Sequence, residues 1–269
     1  MCGRYAASQD PDGLVEEFEV DADETRGLAA PSWNVAPTDT AAVVLERAPR
    51  PEDGADAPGP ATRQLRLLTW GLVPSWAKDR SVGARMINAR VETLLDKPAY
   101  RRSATTRRCL VPADGWFEWQ PSPVASDSRG KPRKQPFFIS RRDSSTTALA
   151  GVYEFWRPRE ADPADSSAWL TTFAVLTREA EHGLDRIHDR MPVVLDADAW
   201  SRWLDPGVRE PEDVAALLAP APAGRFVALP VSTDVGSVRN NGPHLVTPLP
   251  LDDLVGVVDP VTGEVVGAG

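Results

Sequence analysis

The second residue of this chain is a cysteine, in the opening run Met1-Cys2-Gly3-Arg4-Tyr5. A small residue behind the start methionine is the usual condition for methionine removal, and processing would leave Cys2 with a free α-amine and a thiol on adjacent carbons. The amine titrates near ~7.7–8.0 and the thiol near ~8.5, so each is partly nucleophilic at neutral pH. Such a pair condenses with an aldehyde through an imine, which the thiol closes to a five-membered thiazolidine. Alternatively, the thiol attacks an amide carbonyl with the amine as its base. The plain alternative is a small buried residue at an ordinary amino terminus.

Candidates for proton transfer lie far from Cys2 along the chain. Glu118 stands between Phe117 and Trp119 in the segment Val111-Pro-Ala-Asp-Gly-Trp-Phe-Glu-Trp119. A carboxylate held among aromatic rings has its charged form disfavoured, which raises its pKa toward that of a general acid; an edge-strand glutamate facing water is the competing reading. Of three histidines, His188 is the most promising, next to Asp189 in His188-Asp-Arg-Met-Pro192; His182 falls in an expected helix and His244 in a late loop. Asn88-Ala-Arg-Val-Glu92 sets an amide and the Arg90 guanidinium two residues apart, on one side of an extended chain. Two turn-rich segments, Pro31-Ser-Trp-Asn-Val-Ala-Pro-Thr38 and Trp70-Gly-Leu-Val-Pro-Ser-Trp76, carry aromatics prone to exposure.

The elements that must position these residues are short and numerous. Strands are expected at 41–46, 64–70, 108–119, 136–141, 147–155, 170–177, 192–195 and 225–231. Helices are expected at 91–104 (with Pro98 near the middle), 178–186, 197–204 and 211–218, with a short acidic helix within 10–26. Without a regular βαβ rhythm, this order reads as α+β, a single domain over 1–269 around a bent mixed sheet forming a pseudo-barrel with peripheral helices. Segments 48–62, 121–135 and 157–168 read as exposed flexible insertions, the first being rich in Pro and Gly.

With 269 residues the chain can bury a full core. No stretch reads as a signal peptide or membrane span. Two cysteines, Cys2 and Cys109, make no disulfide framework, so a reducing cytoplasm is the expected compartment. Cysteines and histidines never fall at zinc-ligand spacing, so no metal and no cofactor is expected. The net charge of −9 argues against a generic nucleic-acid binder, yet residues 78–142 carry fifteen Lys and Arg against six Asp and Glu. A local phosphate-binding surface is therefore permitted, beside the commoner reading of a solvated face.

Taken together, the ordered motifs resemble the SOS-response-associated peptidase (SRAP) family. The motifs are Met-Cys-Gly-Arg, Asn-Val-Ala-Pro-Thr, Trp-Gly-Leu-Val-Pro-Ser-Trp, Asn-Ala-Arg-Val-Glu-Thr, Arg-Cys-Leu-Val-Pro-Ala-Asp-Gly-Trp-Phe-Glu-Trp and His-Asp-Arg-Met-Pro, with Gly236-Ser-Val-Arg-Asn-Asn-Gly242 similar as well. The departures lie in the three insertions and at Tyr5, where Phe is common.

This resemblance implies covalent capture of abasic sites in single-stranded DNA by a monomer without membrane attachment. Nucleoid association when DNA is bound, a peptidase activity limited to release of Met1, and a lyase activity are also implied. It assigns Cys2 the imine and thiazolidine, Glu118 and His188 the proton transfers, and Asn88 the positioning of the amine or the sugar. Arg4 and Arg90 would hold phosphates; Pro37, Trp70, Gly71 and Trp119 would wedge or stack on bases. Two other classes remain: an N-terminal-nucleophile glutamine amidohydrolase, and a non-catalytic reader of damaged DNA in which Cys2 is incidental.

Overall fold

The computed structural model describes residues 2–47, 59–162 and 164–267. In chain order its elements are β1 (Tyr5–Ala7), α1 (Pro11–Glu17), β2 (Ala22–Asp23), β3 (Ser32–Val35), β4 (Thr40–Arg47), β5 (Thr62–Trp70), β6 (Asn88–Arg90), α2 (Pro98–Thr106), β7 (Arg108–Ala113) and β8 (Gly115–Ser126). There follow β9 (Pro132–Arg141), β10 (Thr147–Trp156), β11 (Leu170–Glu179), β12 (Arg190–Pro192), α3 (Ala197–Leu204), α4 (Pro211–Leu217), β13 (Phe226–Pro230), β14 (Val257–Val258) and β15 (Val265–Val266).

All the strands but β14 and β15, which pair with each other, make two facing sheets. One has the order β13-β9-β8-β1-β3; the other runs β12-β11-β10-β7-β4-β5-β2, with β6 beside β11. In the second sheet β5 also pairs with β11, in parallel, through Thr69–Thr172 and Trp70–Phe173. That contact closes a ring of hydrogen bonds over only two residue pairs, which makes a mixed sheet bent toward a barrel rather than a full barrel.

Side-chain alternation explains the layering. In β4, β7 and β11 the residues Val43, Leu45, Cys109, Val111, Phe173 and Val175 face the first sheet, meeting Tyr5, Trp116, Phe137 and Ile139. Their neighbours Val44, Leu110, Ala174 and Leu176 face the helices and pack with Phe18, Tyr100, Trp200 and Trp203. Both faces of this sheet are covered, so its strands read as nearly continuous apolar runs. The α+β architecture expected from the sequence is the one found.

Several expectations need correction. The run 108–119 is two strands, because the chain passes from one sheet to the other at Asp114, whose N–H bonds Ala6 O (2.7 Å). Residues 178–186 are not a helix: β11 continues to Glu179 along β12, and Gly183 turns the chain at φ +95°. The expected helix 91–104 starts only at Pro98, whose missing N–H suits a first helical position. Segment 121–135 is a hairpin arm of β8 and β9 around a turn at Asp127–Lys131, not an irregular loop. Most of the 48–62 insertion, residues 48–58, lies outside the described residues. The described residues of 157–168 carry a 3-10 turn at Ser166–Ala168 and no strand or α-helix. Among the described residues no helix is long and apolar enough to cross a membrane.

Gly71, just after β5, is pressed against Gly83 of the 80–85 turn. Its φ is +127°, and a Cβ there would meet Gly83 O at 2.6 Å. Gly71→Ala should therefore lose at least ~2 kcal/mol of stability in urea unfolding, from backbone strain plus displacement of the 80–85 turn.

Candidate active site

The site is assembled around the second residue. β1 lies between β8 and β3, with Tyr5 opposite Trp116 and Val35. The antiparallel course continues toward the terminus, since Phe117 N donates to Arg4 O (2.9 Å). Cys2 is thereby laid alongside the Phe117–Trp119 stretch of β8 and is wholly buried in the core between the sheets. Asn88, at the start of β6, fixes it from the other sheet: Asn88 Nδ2 donates to Cys2 O at 2.7 Å. Asn88 is held in turn by the β6–β11 pairing and by Tyr100 OH, which donates to Asn88 O (3.2 Å). Its Oδ1 is buried and accepts no hydrogen bond among the described residues.

One cause, burial, sets the protonation of the three titratable groups. Glu118, 3 % exposed, has its carboxyl raised to about 7; desolvation is the main reason, Asp189 adds to it and the positive amino terminus opposes it. The Cys2 thiol is pushed well up, first by burial and then by the Glu118 charge, so it rests as the thiol. His188 is lowered, again chiefly by desolvation. Its Nδ1 accepts the Arg190 N–H (3.0 Å) and also stands 2.8 Å from Asp189 Oδ1. A proton on Nδ1 would suit the carboxylate but exclude the amide bond. Because burial favours the neutral ring and Asp189 is largely solvated, we assign the proton to Nε2.

The residues expected to touch DNA divide into two groups. Arg90 ends β6 exposed, and Trp119 is half-buried beside Trp33 at the edge of the Phe117–Phe138 cluster. Pro37 is half-buried in a turn tied to the second sheet by Thr38 N to Trp70 O (2.8 Å). Trp70, by contrast, cannot stack on a base: it is fully buried, donates Nε1–H to Ile87 O (2.9 Å) and packs against Tyr5 and Phe173. Gly71 is a packing glycine buried against Gly83. Arg4 is turned inward, its Nη1 donating to Asn34 Oδ1 and Val235 O (both 2.7 Å) and its Nη2 to Gly236 O (3.3 Å). With Asn34 Nδ2 on Ser237 O and Asn240 O, it lashes the 235–240 loop to β3.

The sequence reading did not single out Trp76, which is 61 % exposed and is followed along the chain by exposed Lys78, Arg80 and Arg85. Its place in Trp70-Gly-Leu-Val-Pro-Ser-Trp76 was the available signal. Lys134, expected on an irregular loop, lies on β9, and its charge is felt at His188. Other members of the basic segment serve the fold: Arg108 is buried on the carbonyls of Ala104, Trp203 and Asp205, and Arg141 is paired with Asp143 and Asp196. No group of three or more His, Cys, Asp or Glu among the described residues is arranged to hold a metal ion.

Comparison with known proteins gives a consistent result. The family described as SOS response associated peptidase (SRAP) matches residues 1–238. The abasic site processing protein YoqW of Bacillus subtilis is 36 % identical over 247 residues, covering 91 % of this chain and 99 % of that protein. The abasic site processing protein HMCES of Gallus gallus is 33 % identical over 286 residues, covering 93 % and 79 %. Among solved structures, a protein from Bacteroides thetaiotaomicron has the same fold, with a TM-score of 0.73 at 20 % identity over 93 % of this chain and all of that one.

Glu118 should leave a signature in stability. Its folded pKa, about 7, lies above the ordinary value of 4.5, so the carboxyl favours the folded state below pH 4.5 and this advantage is lost as pH rises through 7. A pKa gap of that size corresponds to a loss on the order of 3 kcal/mol. Glu118→Gln should flatten the decline in melting temperature between pH 5 and 7.5, and an unchanged decline would show that the carboxyl is solvated.

Proposed function

The chain belongs to the SOS response associated peptidase (SRAP) family, and on that premise we propose that it captures abasic sites in single-stranded DNA as a covalent Cys2 adduct. The observation that carries this reading is the convergence of Cys2, in the segment leading into β1, with Asn88 of β6 and Glu118 of β8. The abasic sugar is a cyclic hemiacetal in equilibrium with an open aldehyde at C1′, the electrophile that a 1,2-aminothiol suits.

The chemistry follows from the protonation states. Removal of Met1 frees the Cys2 amine. His188, protonated from solvent in a minority of molecules, gives its Nε2 proton to the sugar ring oxygen as the C1′–O bond breaks, while the Glu118 carboxylate takes the proton of the C1′ hydroxyl and the aldehyde forms. The amine adds to C1′, and the resulting carbinolamine loses its hydroxyl as water, taking a proton from Glu118, which is partly protonated near pH 7. The imine is then attacked at C1′ by Cys2 Sγ, whose proton passes to the Glu118 carboxylate while the C=N electrons return to nitrogen. Because burial keeps the sulfur as a thiol, it stays unreactive toward ordinary oxidants and electrophiles until an imine is placed beside it. Asn88 holds the Cys2 carbonyl, and its unpartnered Oδ1 is suited to accept from the new amine.

The test is incubation with single-stranded DNA bearing one abasic site, followed by denaturing electrophoresis. Wild type should give a heat-stable adduct and Cys2→Ala only a borohydride-trappable one. Glu118→Gln and His188→Ala should slow adduct formation ~10²–10⁴-fold with little change in affinity for intact single strands. A heat-stable adduct of Cys2→Ala would refute the thiazolidine. Absence of any adduct in wild type would favour a non-catalytic reader.

Binding should rest on a few exposed groups. Arg90→Ala should lower affinity and reduce the slope of log K against log[salt] by ~0.7, one single-strand phosphate contact. Trp76→Ala should lose ~1–3 kcal/mol of stacking with the slope unchanged. Unaltered affinity in both variants, measured by fluorescence anisotropy across salt concentrations, would place the groove elsewhere.

A further inference from the structure

Glu118 and His188 reach the site from different parts of the fold, and one buried side chain bridges them. Gln120 lies two residues beyond Glu118 on the same face of β8 and is 1 % exposed. Its Nε2 donates to Arg186 O (3.1 Å) and Val258 O (2.9 Å), while its Oε1 accepts the Val258 N–H (2.8 Å). Only a neutral amide offers two donors and an acceptor in this arrangement without placing a second charge near Glu118.

Arg186 is two residues before His188 in a single 3-10 turn, where the Ile187 and His188 amides both donate to Leu184 O (2.9 and 3.0 Å). Its guanidinium closes the connection from the other side, with Nη1 donating to Pro260 O (2.6 Å) and Val261 O (3.0 Å). The β14–β15 hairpin therefore grips both the Gln120 amide and the turn that carries His188. That hairpin lies beyond residue 238, where the family match ends.

We infer that Gln120 is a positioning residue which, with the β14–β15 hairpin, fixes the turn leading into His188 relative to the Glu118 strand. The inference rests on the proposed proton-transfer roles of those two residues. A shift of 1 Å in a reacting group costs on the order of 10²-fold in rate, so the Gln120 side chain, with one hydrogen bond to the turn before His188 and two to β14, has a direct kinetic consequence.

The experiment is a two-by-two comparison of single-turnover adduct formation: wild type, Gln120→Leu, His188→Ala and the double variant, each checked for fold by circular dichroism. Gln120→Leu should slow wild type roughly 10–100-fold, with affinity for intact single strands unchanged. In the His188→Ala background it should add less than about twofold, because groups acting through one another are not additive. Equal slowing in both backgrounds, or none in wild type, overturns the bridge. If His188→Ala alone leaves the rate unchanged, the reading of His188 fails first and the inference falls with it. Should Gln120→Leu not fold, Arg186→Gln cuts the hairpin's hold on the same turn, and the same comparison decides.

Discussion

The enclosure of residue 2 between two sheets is the constraint on which the site depends. Chain ends ordinarily fray, because few contacts hold them. Here β1 is an interior strand of its sheet, the Arg4 carbonyl bonds Phe117 N, and the Cys2 carbonyl bonds Asn88 across the core. The same enclosure removes water from Glu118, Cys2 and half of His188, and in each case desolvation is the largest cause of the shifted pKa. Acid, thiol and neutral imidazole are thus three results of one packing decision.

Charge is distributed with a comparable economy of roles. The chain is acidic overall, and several of its arginines hold the fold: Arg108 on carbonyls and Arg141 on carboxylates in the basic middle segment, and Arg4 near the start on the 235–240 loop. Arg90, two residues beyond Asn88, and Lys134, whose charge is felt at His188, stay outward, as do Lys78, Arg80 and Arg85. Such a surface suits a ligand held at a few phosphates and discourages general coating of nucleic acid. The aromatic surface follows the same logic, with Trp70 serving as core and Trp76 remaining at the surface.

Much of this was legible in the chain. The α+β class, nearly all the long strands and the helices at α3 and α4 follow from periodicity and capping, because those signals are local. Failures occurred where tertiary contacts decide. Asp114 carries no mark of the crossing between sheets, and 178–186 has helical residues but its first two extend β11 along β12 and the rest turns at Gly183. Trp70 and Trp76 are equivalent as letters; only the Tyr5 and Phe173 rings and the Ile87 carbonyl tell them apart. For the site, Cys2, Asn88, Glu118 and His188 were readable as chemistry, and the structure brings Cys2, Asn88 and Glu118 to one place. Gln120 was not readable, since its partners lie 66 and 138 residues away.

The central claim is that the Cys2 amine and thiol both end on one sugar carbon. Its most direct measurement is high-resolution mass spectrometry of the adduct after nuclease and protease digestion, with fragmentation to locate the modified residue. The account predicts a single product on a peptide beginning at Cys2, lacking Met1, with the mass of the peptide plus the abasic sugar fragment less one water and no gain of hydrogen on borohydride treatment. A sugar on a lysine, a peptide retaining Met1, or a product that borohydride reduces would contradict it.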